Sequence, residues 1–152
     1  MRERKRSFSS GNAALVRHDP QILEVVGRLR AAAYSAGAIV QHNARALERA
    51  WAASQSGDAT AIEDTRALAD LEIAQSQSVV IELVLQASSH LFDALGASST
   101  LVPKGLDRFW RNVRTLATHN PRIYKDRIAG DFAVNGTPAP AQWKIGVVGA
   151  SQ

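Results

Sequence analysis

Residues 19–51 read DPQILEVVGRLRAAAYSAGAIVQHNARALERAW, and this stretch decides the fold. Asp19 is a side-chain acceptor of the kind that caps a helix start, and Pro20 carries the fixed φ that suits a first helical position. From there Ile22, Val26, Leu29, Ala33, Ala36, Val40, Asn43 and Leu47 recur four and three residues apart. Such an alternation is the seam of a helix packed lengthwise on another, and the small residues in its middle let the partner come close. The spacing predicts one helix from Pro20 to about Trp51, roughly 48 Å long at ~1.5 Å per residue. Ser56-Gly57-Asp58 stops it.

Working outward, Thr60-Ala61-Ile62-Glu63 has the spacing of a capping box, in which hydroxyl and carboxylate satisfy reciprocal backbone donors. A second helix is predicted from there to Leu95, with Gly96 as its stop. Between Ile73 and Leu91 the only formal charge is Glu82. A helix apolar on more than one side needs covering by another domain or subunit. A third helix follows Pro103 and ends at His119, because Pro121 disfavours the helical conformation at Asn120. Asn120-Pro121 opens a fourth, through Ile123, Tyr124 and Ile128, fading by Asn135-Gly136. Pro138, Pro140, Gly146 and Gly149 mark residues 137–152 as an extended tail. No β alternation is long enough to build a sheet, so the fold class is all-α.

The chain has 152 residues, 45% hydrophobic and 21% charged, which suits one globular domain and excludes collagen and low-complexity disorder. It has no cysteine, so disulfides, thiolate metal sites and cysteine nucleophiles are excluded, in keeping with a reducing cytoplasm. Of the net charge of +4, the first six residues hold +3. The body is therefore nearly neutral, and residues 1–14 read as a disordered basic and polar tail rather than a nucleic-acid arm, since no aromatic interleaves its charges. No secretory hydrophobic segment follows that start, and no uninterrupted apolar run reaches the ~20 residues of a membrane span.

The common catalytic signatures are absent: no nucleophile elbow, phosphate loop, dinucleotide fingerprint or H-E-x-x-H. His18, His42, His90 and His119 lie far apart, none reading as having a carboxylate or histidine at ligand spacing on one helix face, so no metal site is expected. The third helix is two-faced. Leu106, Phe109, Trp110, Val113, Leu116 and Ala117 share a core sector, whereas Lys104, Arg108, Arg111, Thr115 and His119 share the opposite one, with Arg114 at its edge. This is either a solvated basic face, with Asp107 pairing Arg111 and His119 at the negative end of the helix dipole, or an anion site. The linker Gly96-Ala97-Ser98-Ser99-Thr100 is equally open: a plain connection or a phosphate-holding loop. Trp51, Trp110 and Trp143 read as core or interface fillers.

Three clusters, Leu91-Phe92-Asp93-Ala94-Leu95-Gly96-Ala97-Ser98-Ser99, then Leu106-Asp107-Arg108-Phe109-Trp110-Arg111-Asn112-Val113-Arg114-Thr115, then His119-Asn120-Pro121, are followed by Tyr124-Lys125 and Val134-Asn135-Gly136-Thr137-Pro138. Together they resemble the C-terminal helical domain of the acyl-CoA dehydrogenase superfamily, in the branch holding flavin-dependent monooxygenases of the dibenzothiophene monooxygenase and hydroxyphenylacetate hydroxylase kind. The resemblance extends more weakly over residues 15–136. It implies an up-down four-helix bundle that is the C-terminal piece of a longer enzyme, normally preceded by a helical and a β domain. It also implies a cytoplasmic homo-oligomer, tetrameric in the family, taking a small-molecule substrate without nucleic acid or membrane.

The cofactor so implied is reduced FMN from a partner flavin reductase, or FAD if the chain were a dehydrogenase. Carried over by position, Gly96, Ala97, Ser98 and Ser99 match the loop that approaches the flavin of an adjacent subunit, and Arg108 and Arg111 the basic helix beside it. His119 matches the histidine near the flavin's reactive position, the catalytic candidate. Two positions depart from the monooxygenase pattern: Leu116 stands where many relatives have a second histidine, and Asn120 where they commonly have Asp. Many dehydrogenases carry a Glu base in this domain, and there is no Glu after Glu82. That favours oxygen activation, with a truncated, non-catalytic oligomerisation module as the rival reading.

Overall fold

The computed structural model describes residues 8–141. A 3-10 turn at Val16–His18 leads into α1 (Pro20–Ser54) and α2 (Ala59–Leu95). Turns at Ala97–Thr100 and Val102–Lys104 connect to α3 (Asp107–His119) and α4 (Arg122–Asn135). There is no strand among the described residues. The helix starts follow local chemistry. Asp19 caps α1 as expected, its Oδ1 accepting the Gln21 N–H at 3.0 Å. At α2 the cap is Asp58, whose Oδ1 accepts from Thr60 and Ala61 at 2.9 and 3.2 Å, so the Thr60–Glu63 capping box does not form. Glu63 pairs with Arg66 instead, which holds its carboxyl below the usual range. Gly96 ends α2 at φ 75°, a conformation natural to glycine, and its N–H closes on Phe92 at 2.7 Å. Pro103 opens only a 3-10 turn, and α3 starts four residues later at Asp107.

α2 is the hub on which the other three helices pack. α1 runs antiparallel to it, as the pairs Asn43–Ser76 and Arg49–Glu72 show. α3 and α4 also run antiparallel to α2, one after the other. Gln77 donates to the Asn120 carbonyl at 3.0 Å where the two short helices meet, and Arg122 reaches Glu82 at 3.0 Å. Further along, Ile128 and Ala139 close on Leu71 and Ala74. The four-helix fold is thus three antiparallel rods, with α3 and α4 as the halves of a broken third. Contact with them covers only part of the apolar surface of α2, on which Leu68 and Val79 stay exposed, and by length and composition the helix would also suit a membrane span.

The seam of α1 is half as anticipated. Ile22, Leu29, Ala36 and Asn43 face the interior, but the alternate positions are Val25, Ala32, Ile39 and Ala46 rather than Val26, Ala33, Val40 and Leu47. The latter belong to a second apolar stripe, with Leu23, Tyr34 and Trp51, that faces solvent. The interior is correspondingly lean: its buried hydrophobic side chains are mostly alanines, joined by Val16, Ile22, Leu71 and Ile128. Before α1, Phe8 packs on Val16, Ile22 and Ala94, and the Asn12 N–H reaches Asp19 Oδ2 at 3.0 Å. Beyond α4, Ala139 is buried. The basic start at residues 1–7 and the tail beyond 141, including Trp143, lie outside the described residues.

Candidate functional site

The two faces of α3 are only partly what its periodicity suggests. Ala117 is buried, and Val113 and Leu106 are half-buried against the rest of the chain. Phe109, Trp110 and Leu116, expected in the core, are exposed, because a single helix, α2, covers α3. The opposite face is cationic and solvent-facing. Arg111 Nε meets Asp107 Oδ2 at 3.2 Å, the expected pairing one turn apart. The Arg108 guanidinium lies 5.1 Å from the centroid of the Phe109 ring and makes no ion pair with a described carboxylate. His119 is exposed in the last turn, and Asn120 leaves the helix at φ −125° and ψ 87°.

The linker forms a 3-10 turn that consumes part of its own polar capacity. The Ser99 hydroxyl is buried and donates to the Gly96 carbonyl at 2.5 Å, and Thr100 donates to Ala97 at 2.8 Å. Ser98 and Ala97 are exposed. The linker leaves the end of α2, whereas His119 lies beside the Gln77–Asn120 bond. The nineteen residues of α2 from Gln77 to Gly96 put roughly 28 Å between those levels at ~1.5 Å each. Within one chain the loop Gly96–Ser99 and His119 are not brought together, and Arg108 and Arg111 lie toward the loop end of α3.

For a flavin with its phosphate, the residues present therefore fit as two separate contributions. Arg108 offers a guanidinium not committed to a carboxylate, and His119 an accessible ring. Among the described residues, Arg108 and His119 stand exposed and do not enclose a ring system to the ~70–90% that ligand sites bury.

Sequence reading missed three polar clusters. His90 Nδ1 and Asp93 Oδ2 are 2.8 Å apart, so a histidine does have a carboxylate one turn away on its own helix face, a spacing legible in residues 90–93. Glu72, mostly buried, receives His42 Nε2 at 3.1 Å and Arg49 at 3.3 Å, and Asn43 donates to Ser76 at 2.6 Å. These last two join residues about thirty positions apart and carry no local signal. No group of three or more potential ligands suited to a metal occurs among the described residues.

Comparison with known proteins shows the family of the fold. The family profile described as "Acyl-CoA dehydrogenase, C-terminal domain" matches residues 1–121. A dibenzothiophene monooxygenase from Rhodococcus erythropolis is 30% identical over 135 residues, 89% of this chain and 31% of that protein. A probable FMNH2-dependent monooxygenase, SfnC, from Pseudomonas putida is 29% identical over 137 residues, 90% of this chain and 34% of its own length. Among solved structures, the methanesulfinate monooxygenase MsuC from Pseudomonas fluorescens superposes with a TM-score of 0.81 at 30% identity, covering 92% of this chain and 35% of that one. FMN-bound TdsC from Paenibacillus sp. A11-2 superposes at 0.74 with 26% identity, covering 91% and 34%. The chain spans about a third of the length of these relatives. On the family profile, and on the superposition with MsuC, the chain belongs to the acyl-CoA dehydrogenase C-terminal domain family.

Proposed function

We propose that the chain is the C-terminal helical domain of a two-component monooxygenase that takes reduced FMN from a separate flavin reductase and oxygenates a small organic substrate. The observation that carries the reading is the match, over nine-tenths of the chain, to proteins named as monooxygenases, one of them FMNH2-dependent. A structural observation favours it over the dehydrogenase reading, in which FAD would be the cofactor and a carboxylate would remove a proton from the substrate. Beyond Glu82 every described acid is engaged. Asp93 holds His90 and Asp107 holds Arg111. Asp126 accepts from Ser78, and Asp131 from Asn135 and Thr137. None stands free to act as that base.

When bound, reduced flavin supplies the electrons that activate dioxygen. The residues of this chain have the simpler tasks of binding and donation. Arg108, and Arg111 if it exchanges Asp107 for a ligand, set a bidentate positive surface toward an anionic group. Ser98 and the outward edge of the Gly96–Thr100 turn lie toward the same end of the rod and extend that surface, with His119 at the other end. His119 donates a hydrogen bond where negative charge grows on oxygen. The ~28 Å between the two levels of α2 implies that each flavin receives the loop from one copy and His119 from another, in a cytoplasmic homo-oligomer.

The test is a chimera in which residues 15–136 replace the corresponding third of the Rhodococcus dibenzothiophene monooxygenase. Retained FMNH2-dependent oxygenation supports the proposal. A folded chimera of unchanged oligomeric state that neither binds FMN nor oxygenates would overturn it.

A further inference from the structure

α1, α2 and α4 are each closed at their C-terminal end by a backbone N–H from beyond the helix. Gln55 and Ser56 donate to Ala52 and Ala53, Gly96 to Phe92, and Gly136 to Phe132. These bonds satisfy carbonyls that a helix end otherwise leaves open. α3 shows no such bond among the described residues. Asn120 leaves this helix at φ −125° and ψ 87°, and the next residue, Pro121, has no N–H to give. The start of α3 carries no side-chain cap either. The last turn, which ends in His119, is therefore held by what other elements supply.

That hold comes from α2. In its otherwise nearly uncharged stretch, three polar side chains turn to the junction that follows His119. Gln77 donates from Nε2 to the Asn120 carbonyl at 3.0 Å, one residue past His119. Glu82 receives Arg122 at 3.0 Å, and Ser78 donates to Asp126. Those two hold α4; of the three, Gln77 alone reaches the end of α3. Ala117 is buried two residues before His119 and keeps α3 against the bundle, but apolar contact is non-directional. The His119 ring is exposed and makes no hydrogen bond among the described residues. Where it stands relative to α2 is thus set through its backbone.

We infer that Gln77 is a positioning residue for His119: its amide, bonded to the Asn120 carbonyl, fixes the last turn of α3 against α2 and so the place at which the ring is presented. This rests on the donor role proposed for His119. Such a donor has to be held within roughly 0.5 Å of its productive place, which a helix end without closure does not do unaided.

Gln77→Met keeps the length of the side chain and removes its donor, and Gln77→Lys restores an N–H. Gln75→Met, at an exposed position on the same helix, is the control and should change nothing. In the chain itself, amide hydrogen exchange at Thr118 and His119 should rise about fivefold in Gln77→Met, the worth of one hydrogen bond. Val113 should be unaffected, and Gln77→Lys should return exchange toward its original rate. Exchange that does not rise overturns the inference. In the chimera described above, Gln77→Met should raise the hydrogen peroxide released per product formed by a similar factor, and Gln77→Lys should lower it again. Acting through His119, the change should add nothing once His119 is alanine. A shifted melting curve with an unchanged peroxide ratio, or an effect undiminished in the His119→Ala chimera, overturns positioning alone. An unchanged ratio in His119→Ala overturns the donor role itself, and the inference with it.

Discussion

Asn43 reaches across the seam between α1 and α2 and donates from Nδ2 to Ser76 Oγ at 2.6 Å, while its own Oδ1 is buried with no hydrogen-bond partner. The pair is half satisfied, and the energetics of buried polar groups are asymmetric. Removing one partner exposes the other to a desolvation penalty of ~1–3 kcal/mol, whereas replacing both with apolar groups of similar shape is near neutral. Ser76→Ala should therefore destabilise the chain by about 1–2 kcal/mol, and Asn43→Leu/Ser76→Ala should recover most of that loss. Urea unfolding of the unmodified chain and the two variants checks this. A double variant no more stable than the single would show that the pair fixes the seam in another way.

The Arg122 guanidinium, with help from the Gln86 amide, holds the Glu82 carboxyl below the usual carboxylate range. A carboxyl whose folded pKa is depressed contributes stability above its unfolded value of ~4.3 and loses it as pH falls through the folded one. Acidification from about pH 5 toward pH 3 should accordingly loosen α4 from α2. In Arg122→Gln that part of the acid dependence is gone, and melting temperature plotted against pH should be flatter over this window. Glu63, held down by Arg66, contributes to both proteins alike. Parallel curves for the two would refute the assignment.

The start of α2 shows how far local signals carry. Asp58 and Thr60 are both capping residues by type, and the spacing to Glu63 speaks for Thr60. The chain instead leaves the turn at Gly57 (φ 75°) with Asp58 extended, and Asp58 takes both backbone donors. Asp58→Ala should cost about 1 kcal/mol, and Thr60→Ala no more than ~0.5, as thermal melts of the two variants would show. The reverse order would restore the capping box.

What was legible elsewhere follows the same division. Asp19-Pro20 and Gly96 mark true helix limits because caps are decided within a few residues. The seam of α1 was legible at Ile22, Leu29, Ala36 and Asn43, but its alternate positions were not. Val25, Ala32, Ile39 and Ala46 form one apolar stripe, and Val26, Ala33, Val40 and Leu47 form another one residue further on. Periodicity cannot choose between adjacent apolar stripes; the position of α2 does. The cationic face of α3 was legible at Arg108, Arg111 and His119, since a helical wheel fixes which residues share a side. The exposure of Phe109, Trp110 and Leu116 was not, since it depends on what else covers the helix.

The separation of the loop Gly96–Ser99 from His119 along α2 bears on cofactor affinity. A chain that offers a flavin the loop with Arg108 and Arg111, or His119, but not both at one place, buries too little of the ring system for tight binding. Titration of the purified chain with FMN, followed by flavin fluorescence, should show only weak, salt-sensitive association carried by Arg108 and Arg111. Stoichiometric binding that persists at high salt would contradict the composite site.

His119 itself is best tested in a complete enzyme, in the chimera described above. Its side chain is exposed at the end of α3, so His119→Ala removes no core packing. If it only complements the helix dipole, the change costs ~0.3–1 kcal/mol of stability and leaves product yield per flavin oxidised untouched. If it donates to oxygen as charge develops there, the cost falls on the chemistry: product formation drops about 10²-fold, the scale of a lost oxyanion donor. Electrons no longer reaching substrate are then released as hydrogen peroxide. We expect the second pattern, a nearly unchanged melting curve with a raised ratio of peroxide to product. His119→Gln, which keeps a neutral donor, should restore part of the coupling. An unchanged ratio in His119→Ala would leave His119 a helix terminus and nothing more.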